Sequence, residues 1–476
     1  MKLTAAFVTL LGSYYLFFLN KGIALTDEGY FVTPSWLINA GLQPYSDFFY
    51  QYPPLFPYSL ALIFKFFGTS LVISRTTALV VYLSSFLLSI KIMNKFGLSK
   101  ASHQILAFLV FASLGFPLSN IASPVTWVVF ETLLLMPALL SQKSPWLIGL
   151  ILASLLSTKQ NVGLTLTIAT NLYYYISLPK NRALCVSLFI LNSSWLSICL
   201  VWIYYLFLRT SHLNQFFYFL SFGARLFTIY PPSYPPLTFL TQLTGFFKLL
   251  PYYFPIIIGV IIGFSYLKSH HPKLLVLLLP FVGFFTNLLP QSDLLHVYPF
   301  LPLVLVSSYI FTHQYLSHKI SKLVTTVLIF IIILEGFFLT FHGNYYRYFP
   351  PYSAQNQLLL PPRAGFIQTD RFMAKNLNLL HTYFSSHSEI SSVFIYPFSP
   401  ALYFLLDLFP ITPHLILWPG YLTLQEEQLL VNQLSNGPPT FIIAEENISF
   451  GTPLSKWITS HTPLAHLGSY LIYTTP

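Results

Sequence analysis

The sequence predicts an all-α polytopic membrane protein that carries a small α/β domain at its C-terminal end. Of the 476 residues, 55% are hydrophobic and only 8% are charged, whereas a soluble protein of this size carries far more charge. Apolar stretches of roughly 20 residues recur along the chain, and this is the length with which a helix crosses a bilayer. Beyond position 342 the composition becomes that of a soluble domain. We therefore expect a transmembrane domain over 1–342 and an α/β domain over 343–476.

Eleven apolar runs are predicted to be membrane-spanning helices. They cover 3–19, 71–92, 102–118, 121–140, 145–157, 160–177, 183–208, 251–267, 274–289, 294–312 and 323–341. The first run follows Lys2 and lacks a small-residue cleavage pattern, so we interpret it as a retained helix and not as a signal peptide. The run 53–67 is apolar but short for a full span, and we expect a juxtamembrane or re-entrant helix there.

The distribution of charge predicts the orientation of these spans. The loops of one side hold eleven basic residues and no acidic ones, and such loops are cytoplasmic in multi-pass proteins. The eleven are Lys2, Lys91, Lys95, Lys100, Lys143, Lys180, Arg182, Lys268, Lys273, Lys319 and Lys322. We expect a plasma-membrane protein with a cytoplasmic N-terminus and an extracytoplasmic C-terminal domain. The net charge of +10 then reflects topology, and nucleic acid is not an expected partner.

Two further regions lie on the predicted outer side. The segment 209–250 joins an amphipathic stretch to a proline-rich one, which indicates an interfacial packing element or a lid over a lipid entrance. In the C-terminal domain we predict helices near 366–384 and 422–434. The predicted strands are 392–397, 414–418, 440–445 and 469–473.

The first predicted outer loop concentrates acidic residues. Asp27, Glu28 and Asp47 place three carboxylates within 21 positions of a chain that has only thirteen acidic residues. Carboxylates just beyond a span can act as a general base or bind a cation. The alternative is a solvated loop whose charges only keep it outside the membrane.

The motifs around these carboxylates resemble the first outer loop of the GT-C glycosyltransferases. They are Asp27-Glu28-Gly29-Tyr30, Ala40-Gly41, Pro44-Tyr45-Ser46-Asp47 and Tyr52-Pro53-Pro54-Leu55. The relevant members are the protein-mannosyltransferase-like and aminoarabinose-transferase-like enzymes, which use polyprenyl-phosphate sugars. The resemblance implies that Asp27 is the catalytic base and that Glu28 and Asp47 bind substrate. A divalent metal on Asp27 and Asp47 is a further expectation, since metal dependence differs among such enzymes, and no other cofactor is implied.

Two other motifs add candidate substrate-binding residues. The sequence Ser157-Thr158-Lys159-Gln160 resembles a Lys-Gln motif of bacterial relatives, and Lys159 is the only charge of an apolar neighbourhood. A lipid phosphate would be its natural partner, although a snorkelling lysine is the simpler alternative. The stretch 291–296 resembles an Arg-x-Asp-x-x-His motif, which implicates Asp293 and His296 but has Gln291 in place of the arginine. For Asp293 and His296 the alternatives are a helix cap and a packed histidine.

Two isolated charged residues complete the candidates. Arg225 in the second outer segment is a further candidate for binding phosphate. Glu131 lies within the fourth predicted span, where we expect it to be protonated or paired inside the bundle.

The resemblance implies an inverting transfer of a sugar from a polyprenyl-phosphate donor to a lipid, glycan or protein acceptor at the outer face of the membrane. Asp27 would remove the proton from the acceptor. A transporter or lipid flippase is the alternative from another class, and it predicts ionisable residues at mid-membrane depth. A non-catalytic relative that binds glycan through its outer domain is a third hypothesis.

Overall fold

A computed structural model of the protein describes residues 2–210, 243–289, 294–342, 351–437, 440–446 and 450–475. Within these ranges the chain forms a long bundle of apolar helices, followed by a small mixed sheet with its own helices. The predicted fold class is therefore confirmed. The predicted boundary between the two parts falls where the last helix of the bundle ends, at His342.

The bundle contains a helix in each of the eleven predicted spans. The helices of this part of the chain are α1 Lys2–Leu19, α2 Asp27–Asn39, α3 Leu55–Phe67, α4 Leu71–Lys95, α5 Ala101–Leu114, α6 Pro124–Leu140, α7 Pro145–Thr158, α8 Gln160–Ser177, α9 Arg182–Thr210, α10 Leu243–Ser269, α11 Pro272–Asn287, α12 Leu294–Val297, α13 Leu301–Tyr315 and α14 Lys319–His342. The tenth predicted span is divided between α12 and α13. Helix α3 coincides with the predicted short helix at 53–67.

Length and composition make this bundle a membrane domain. Among the residues that the structure describes, five stretches are long and apolar enough to cross a bilayer: Lys2–Leu19, Leu71–Lys95, Arg182–Tyr205, Leu249–Ser269 and Lys319–His342. Shorter apolar helices accompany them, among them α5, α6, α7 and α11. Large hydrophobic side chains are exposed on the outside of the bundle, as is expected where the solvent is lipid.

The first predicted outer loop is in fact partly helical. Helix α2 begins at Asp27 and continues through Pro34 to Asn39. No helical periodicity marks this stretch because nearly every side of α2 is covered: nine of its thirteen residues are buried. Its N-terminal half packs so closely on the C-terminal domain that a Cβ on Gly29 would lie 2.8 Å from Cβ of Ala401.

A buried ion pair fixes the connection between α1 and α2. Arg75 of α4 donates from Nε to Oε1 of Glu28 and from Nη2 to Oε2, each at 2.7 Å, and neither side chain is exposed to solvent. Its remaining N–H groups donate to the carbonyl oxygens of Leu19, Lys21 and Gly22. All five guanidinium donors are therefore used, and the start of α2 is held against α4.

The C-terminal domain is built on a five-stranded mixed sheet in the order β4-β3-β5-β7-β6. Strand β3 pairs in parallel with β4 and β5, whereas β7 is antiparallel to β5 and to β6. The strands are β3 Ser392–Tyr396, β4 Phe409–Pro410, β5 Phe441–Glu445, β6 Ala465–Leu467 and β7 Tyr470–Thr474, and a separate pair is β1 Gln357–Leu358 with β2 Gln368–Thr369. The helices are α15 Arg371–Ser386, α16 Ala401–Leu406, α17 Leu424–Asn436 and α18 Pro453–Thr459.

Three of the four predicted strands and both predicted helices are present in this domain. The predicted strand at 414–418 is wrong. This stretch lies between Pro413 and Pro419, which have no N–H to offer a sheet, and its Leu417 N–H donates to the carbonyl of Pro397 in a loop.

The C-terminal domain is seated directly on the connection that leads into α2. The N–H of Ala401 donates to the carbonyl of Leu25 at 3.0 Å, and the hydroxyl of Thr33 donates to the carbonyl of Pro400 at 2.9 Å. Nearby, Nζ of Lys21 donates to the side chain of Gln368 at 2.6 Å. Main-chain bonds across this contact fix the position of α2 relative to the sheet.

Candidate functional site

Asp27 is the first residue of α2 and is half-buried. The dipole of a helix favours a negative charge at such a position. One turn further along the same face lies Tyr30, whose hydroxyl accepts a hydrogen bond from the main-chain N–H of Gln51 at 3.0 Å. The helix that begins with the candidate base is therefore hydrogen-bonded to the segment that connects α2 to α3.

Stacked tyrosines hold this connecting segment rigid. The ring of Tyr30 stacks on Tyr50 with 5.7 Å between centroids, and Tyr50 meets Tyr52 at the same distance. The hydroxyl of Tyr45 donates to the carbonyl of Tyr52 at 2.6 Å. Burial raises the pKa of Tyr30, Tyr45 and Tyr50 above the ordinary range. These phenols therefore stay protonated and act as neutral hydrogen-bonding groups.

Lys159 occupies the sharp corner between α7 and α8. Its backbone is extended, with φ −149° and ψ 105°, so one residue separates the two helices. The helices can fold back at this corner because Gly163 has no side chain, since a Cβ there would lie 2.5 Å from Cα of Leu156. The side chain of Lys159 is only 3% exposed, which is costly for a cation without strong compensation.

The ammonium group of Lys159 joins three parts of the chain. Its Nζ donates to Oδ1 of Asn287 at 2.7 Å and lies 5.5 Å from the centre of the Tyr52 ring. Asn287, at the end of α11, donates in turn from Nδ2 to the carbonyl of His296 at 2.7 Å. The corner, the α2–α3 connection and the α11–α12 region therefore converge.

Gln160 strengthens this convergence. Its Nε2 donates to the carbonyl of Gln51 at 3.2 Å, so the corner is hydrogen-bonded to the segment that Tyr30 also holds. The other amide atom, Oε1, is buried and has no hydrogen-bond partner within the described ranges. The same is true of the hydroxyl of Tyr50. Buried polar atoms in native proteins are normally paired, so a polar ligand would account for both.

The sequence-predicted site residues fall into three groups. Asp27, Lys159, Gln160 and His296 lie on the elements that converge around the α2–α3 connection. Glu28 points to Arg75, and both of its oxygens are occupied there, which leaves no room for a sugar contact. Asp47 is exposed and accepts the N–H of Gln43 at 2.7 Å, so it closes the local turn. Arg225 and Asp293 lie outside the described residues.

The expected metal site finds no further ligands in the part of the chain that the structure describes. There, no group of three or more His, Cys, Asp and Glu side chains is close enough to hold a metal ion. A metal on Asp27 and Asp47 stays a prediction.

Glu131 lies directly behind the corner and has the expected surroundings for a carboxyl inside a bundle. It accepts hydrogen bonds from the hydroxyls of Ser154 and, at 3.0 Å, Thr158, and it is 4% exposed. Its Oε2 has no partner among the described residues. Because Thr158 precedes Lys159, Glu131 can support the geometry of the corner from behind.

The sequence analysis missed the neutral residues of this site. Asn287, Gln51, Tyr30 and Tyr52 carry no charge, and nothing in their local pattern distinguishes them from packing residues. Asn287 did leave one weak signal, since an amide at the end of an apolar span usually needs a partner.

Comparison with known proteins supports the fold. No protein-family model matches the sequence, and no curated protein matches it either. The structure is similar to ArnT from Cupriavidus metallidurans bound to undecaprenyl phosphate, with a TM-score of 0.59 and 12% identity over 99% of this chain and 97% of that one.

The archaeal oligosaccharyltransferase AglB from Archaeoglobus fulgidus is also similar. In complex with an inhibitory peptide and a dolichol-phosphate it gives a TM-score of 0.50 with 9% identity, over 93% of this chain and 69% of that one. The apo form of the oligosaccharyltransferase from the same organism gives a TM-score of 0.51 with the same identity and coverage. These similarities confirm the fold that the first-loop resemblance implies.

Proposed function

We propose that the protein is a membrane glycosyltransferase that moves a sugar from a polyprenyl-phosphate donor to an acceptor, with inversion at the anomeric carbon. One observation carries the proposal: the corner at Lys159 and Gln160 is hydrogen-bonded to the same short segment that packs against the helix of Asp27. A candidate base and a buried cation are thereby brought to one segment, and a transfer from a phosphate donor needs both.

Asp27 is the general base in this mechanism. Its carboxylate takes the proton of the acceptor group as the acceptor atom attacks the anomeric carbon of the donor sugar. The bond between that carbon and the phosphate oxygen breaks with its electron pair on the oxygen. The new glycosidic bond forms on the opposite face of the ring, and the lipid phosphate leaves as an anion.

Lys159 is the phosphate-binding cation. A phosphate that leaves as an anion needs positive charge more than it needs a proton, and a buried ammonium supplies it in a low-dielectric setting. Gln160 Oε1 and the Tyr50 hydroxyl would bind hydroxyl groups of the sugar. His296, Asp47, Asp293 and Arg225 are retained as candidate substrate-binding residues.

Glu28 is assigned a different role from the one the resemblance implies. With both oxygens bound by Arg75, it positions the first turn of α2 and so the direction of the Asp27 side chain. We therefore propose Glu28 as a positioning residue.

The donor and the orientation follow from the remaining observations. The similar ArnT and AglB structures hold undecaprenyl phosphate and dolichol-phosphate, which suggests the same class of carrier here. The basic loops favour a cytoplasmic N-terminus, and the C-terminal domain, which contacts α2, would then be extracytoplasmic. We retain 1–342 as the catalytic domain and 343–476 as the outer domain, with a lipid, glycan or protein as acceptor.

The test is a complementation experiment. Mass spectrometry of envelope lipids and glycans from a deletion strain identifies the sugar modification that is lost. Asp27→Asn should restore about 10²- to 10⁴-fold less of it than the wild-type chain, because the amide cannot accept the proton. The matched control is Glu389→Gln, which removes an exposed carboxylate of the C-terminal domain and should restore the modification fully. Full restoration by Asp27→Asn would exclude Asp27 as the base.

A further inference from the structure

A second group of polar side chains lies in the C-terminal domain, at the carboxyl ends of β3 and β5. The two strands are adjacent and parallel, with Tyr396 paired to Ala444. After β3 the chain continues to β4 at one edge of the sheet, and after β5 it continues to β6 at the opposite edge. Connections that diverge in this way leave a crevice between them, and open α/β sheets bind their ligands at such a point.

A hydroxyl and a carboxyl group meet in this crevice. Ser399 Oγ donates to Oε1 of Glu445 at 2.5 Å, and Ser399 is only 3% exposed. Partial burial raises the pKa of Glu445, and the bond from Ser399 opposes that shift. Within the described ranges Ser399 is the one side chain that contacts this carboxyl group by hydrogen bond. With its proton donated to Glu445, Ser399 offers an acceptor oxygen, and the carboxyl group of Glu445 offers further acceptor sites, which suits a ligand whose hydroxyl groups can donate.

Aromatic rings line the same crevice. Phe398 packs against Trp418 with 4.4 Å between ring centroids and against Phe450 at 6.3 Å. Phe450 is 38% exposed, although a large apolar side chain usually avoids water. A few convergent polar groups beside aromatic faces is the composition of a small-ligand site. Because a sugar ring has apolar C–H faces and polar hydroxyl edges, it matches this combination.

The crevice is close to the proposed catalytic site along the chain. Ser399 is followed by Pro400 and Ala401, which bond to Thr33 and Leu25 on either side of Asp27. Chain connectivity through Leu25 and Ala401 therefore keeps the backbones of Ser399 and Asp27 within about 20 Å of each other. A short oligosaccharide can span such a distance.

We propose that this crevice is a saccharide subsite that binds the glycan part of the acceptor through Ser399, Glu445 and the faces of Trp418 and Phe450. The acceptor role rests on the proposed glycosyltransferase function, whereas saccharide binding itself does not. Among the acceptors considered above, the inference favours a glycan or a glycolipid over an unmodified protein.

The test measures saccharide binding by the full-length protein in lipid nanodiscs. The probes are maltotriose, chitotriose and mannotriose, followed by saturation-transfer NMR and titration. At least one of them should bind, and Trp418→Ala should weaken its binding by about tenfold or more, as expected when a central aromatic contact is lost. Glu445→Gln should weaken it less, since the amide keeps one acceptor.

Trp457→Ala is the matched control. Trp457 lies on α18 and its ring meets His461, and among the described residues it makes no ring contact with Phe398, Trp418 or Phe450, so its loss should leave binding unchanged. Trp418→Phe should restore most of the affinity, which separates lost stacking from lost folding. The absence of binding with all three saccharides, or an equal loss in the Trp457→Ala variant, would overturn the proposal.

Asp27→Asn distinguishes the two proposals. It should bind the saccharide with unchanged affinity while it loses sugar transfer. If Asp27→Asn transfers normally and the crevice still binds saccharide, the transferase mechanism fails and the subsite stands. If transfer depends on Asp27 but the crevice binds nothing, only the subsite fails.

Discussion

Arg75 and Lys159 are both buried cations at the ends of apolar helices, and the structure uses them in different ways. The guanidinium group of Arg75 is 0% exposed, and all five of its donors are bound by Glu28 and by three carbonyl groups of the α1–α2 connection. Lys159 is a point charge at a corner, where contacts with an amide oxygen and an aromatic face join three segments. A planar fork suits a fixed frame of acceptors, whereas an ammonium adapts to an incoming phosphate. Arg75 therefore maintains the structure, whereas we assign Lys159 to the reaction.

The largest effect should follow from breaking the Arg75 ion pair. Arg75→Ala leaves the Glu28 carboxylate buried without its counter-ion, and we expect a loss of about 3–5 kcal/mol in the free energy of unfolding. Thermal unfolding in detergent, monitored by fluorescence, measures it. Arg371→Ala, which removes an exposed arginine of α15, should cost less than about 0.5 kcal/mol.

A double variant sharpens this result. In Arg75→Met with Glu28→Gln the buried charge is gone from both sides, so part of the lost stability should return. If the double variant loses, relative to the wild type, the sum of what Arg75→Met and Glu28→Gln each lose alone, the two side chains act independently and the ion pair is not the cause.

A smaller effect is expected at Lys159, and on binding more than on stability. Lys159→Gln should weaken the binding of undecaprenyl phosphate by about 10- to 100-fold, the usual effect of losing one charge-assisted contact. Native mass spectrometry of the protein in nanodiscs can measure the bound fraction. The control is Lys65→Gln, an exposed lysine of α3. Equal affinity in wild type and Lys159→Gln would place the phosphate elsewhere.

The smallest effect concerns His414, a histidine whose surroundings disfavour its charged form. Its ring meets the edge of Phe49 at 4.3 Å, on the seam between the two domains. Burial lowers the pKa of His414 from 6.5 to about 4, and the carboxylate of Glu426 opposes the shift only in part. The unfolded chain therefore takes up a proton at a higher pH than the folded one. The stability that the neutral ring of His414 contributes is fully present above about pH 6.5 and is lost as the pH falls toward 4.

We expect a lower melting temperature at pH 5 than at pH 7.5, and a smaller difference in His414→Gln. His466→Gln, at an exposed position of β6, should leave the difference unchanged. An identical decline in the wild type and in His414→Gln would assign the pH dependence to other groups.

The membrane fold was readable from the sequence because lipid imposes a length and a composition on each span. The short helix at 53–67 was recognised for the same reason. Helix α2 was not recognised as a helix, because a segment covered on nearly every side has no amphipathic pattern. The predicted strand at 414–418 was wrong, because β propensity in its apolar residues counted for less than the prolines on either side.

The candidate site was readable only in part. Charged residues such as Asp27 and Lys159 are conspicuous in an apolar chain, and the resemblance added their proposed roles. The pairing of Glu28 with Arg75 joins positions 47 residues apart, and the bond from Lys159 to Asn287 joins positions 128 apart. Such contacts depend on how the helices pack, which a local pattern does not encode. For this reason the resemblance placed Glu28 among the substrate-binding residues, whereas in the structure its partner is Arg75.

The contact between the C-terminal domain and α2 can form only late in the synthesis of the protein. Leu25 and Thr33 receive their main-chain partners from Ala401 and Pro400, which the ribosome adds more than three hundred residues later. During synthesis α2 therefore lacks these bonds until residues 400 and 401 have been added. A chain cut short before residue 400 would carry the helices α1 to α14 and still lack the surface against which α2 packs.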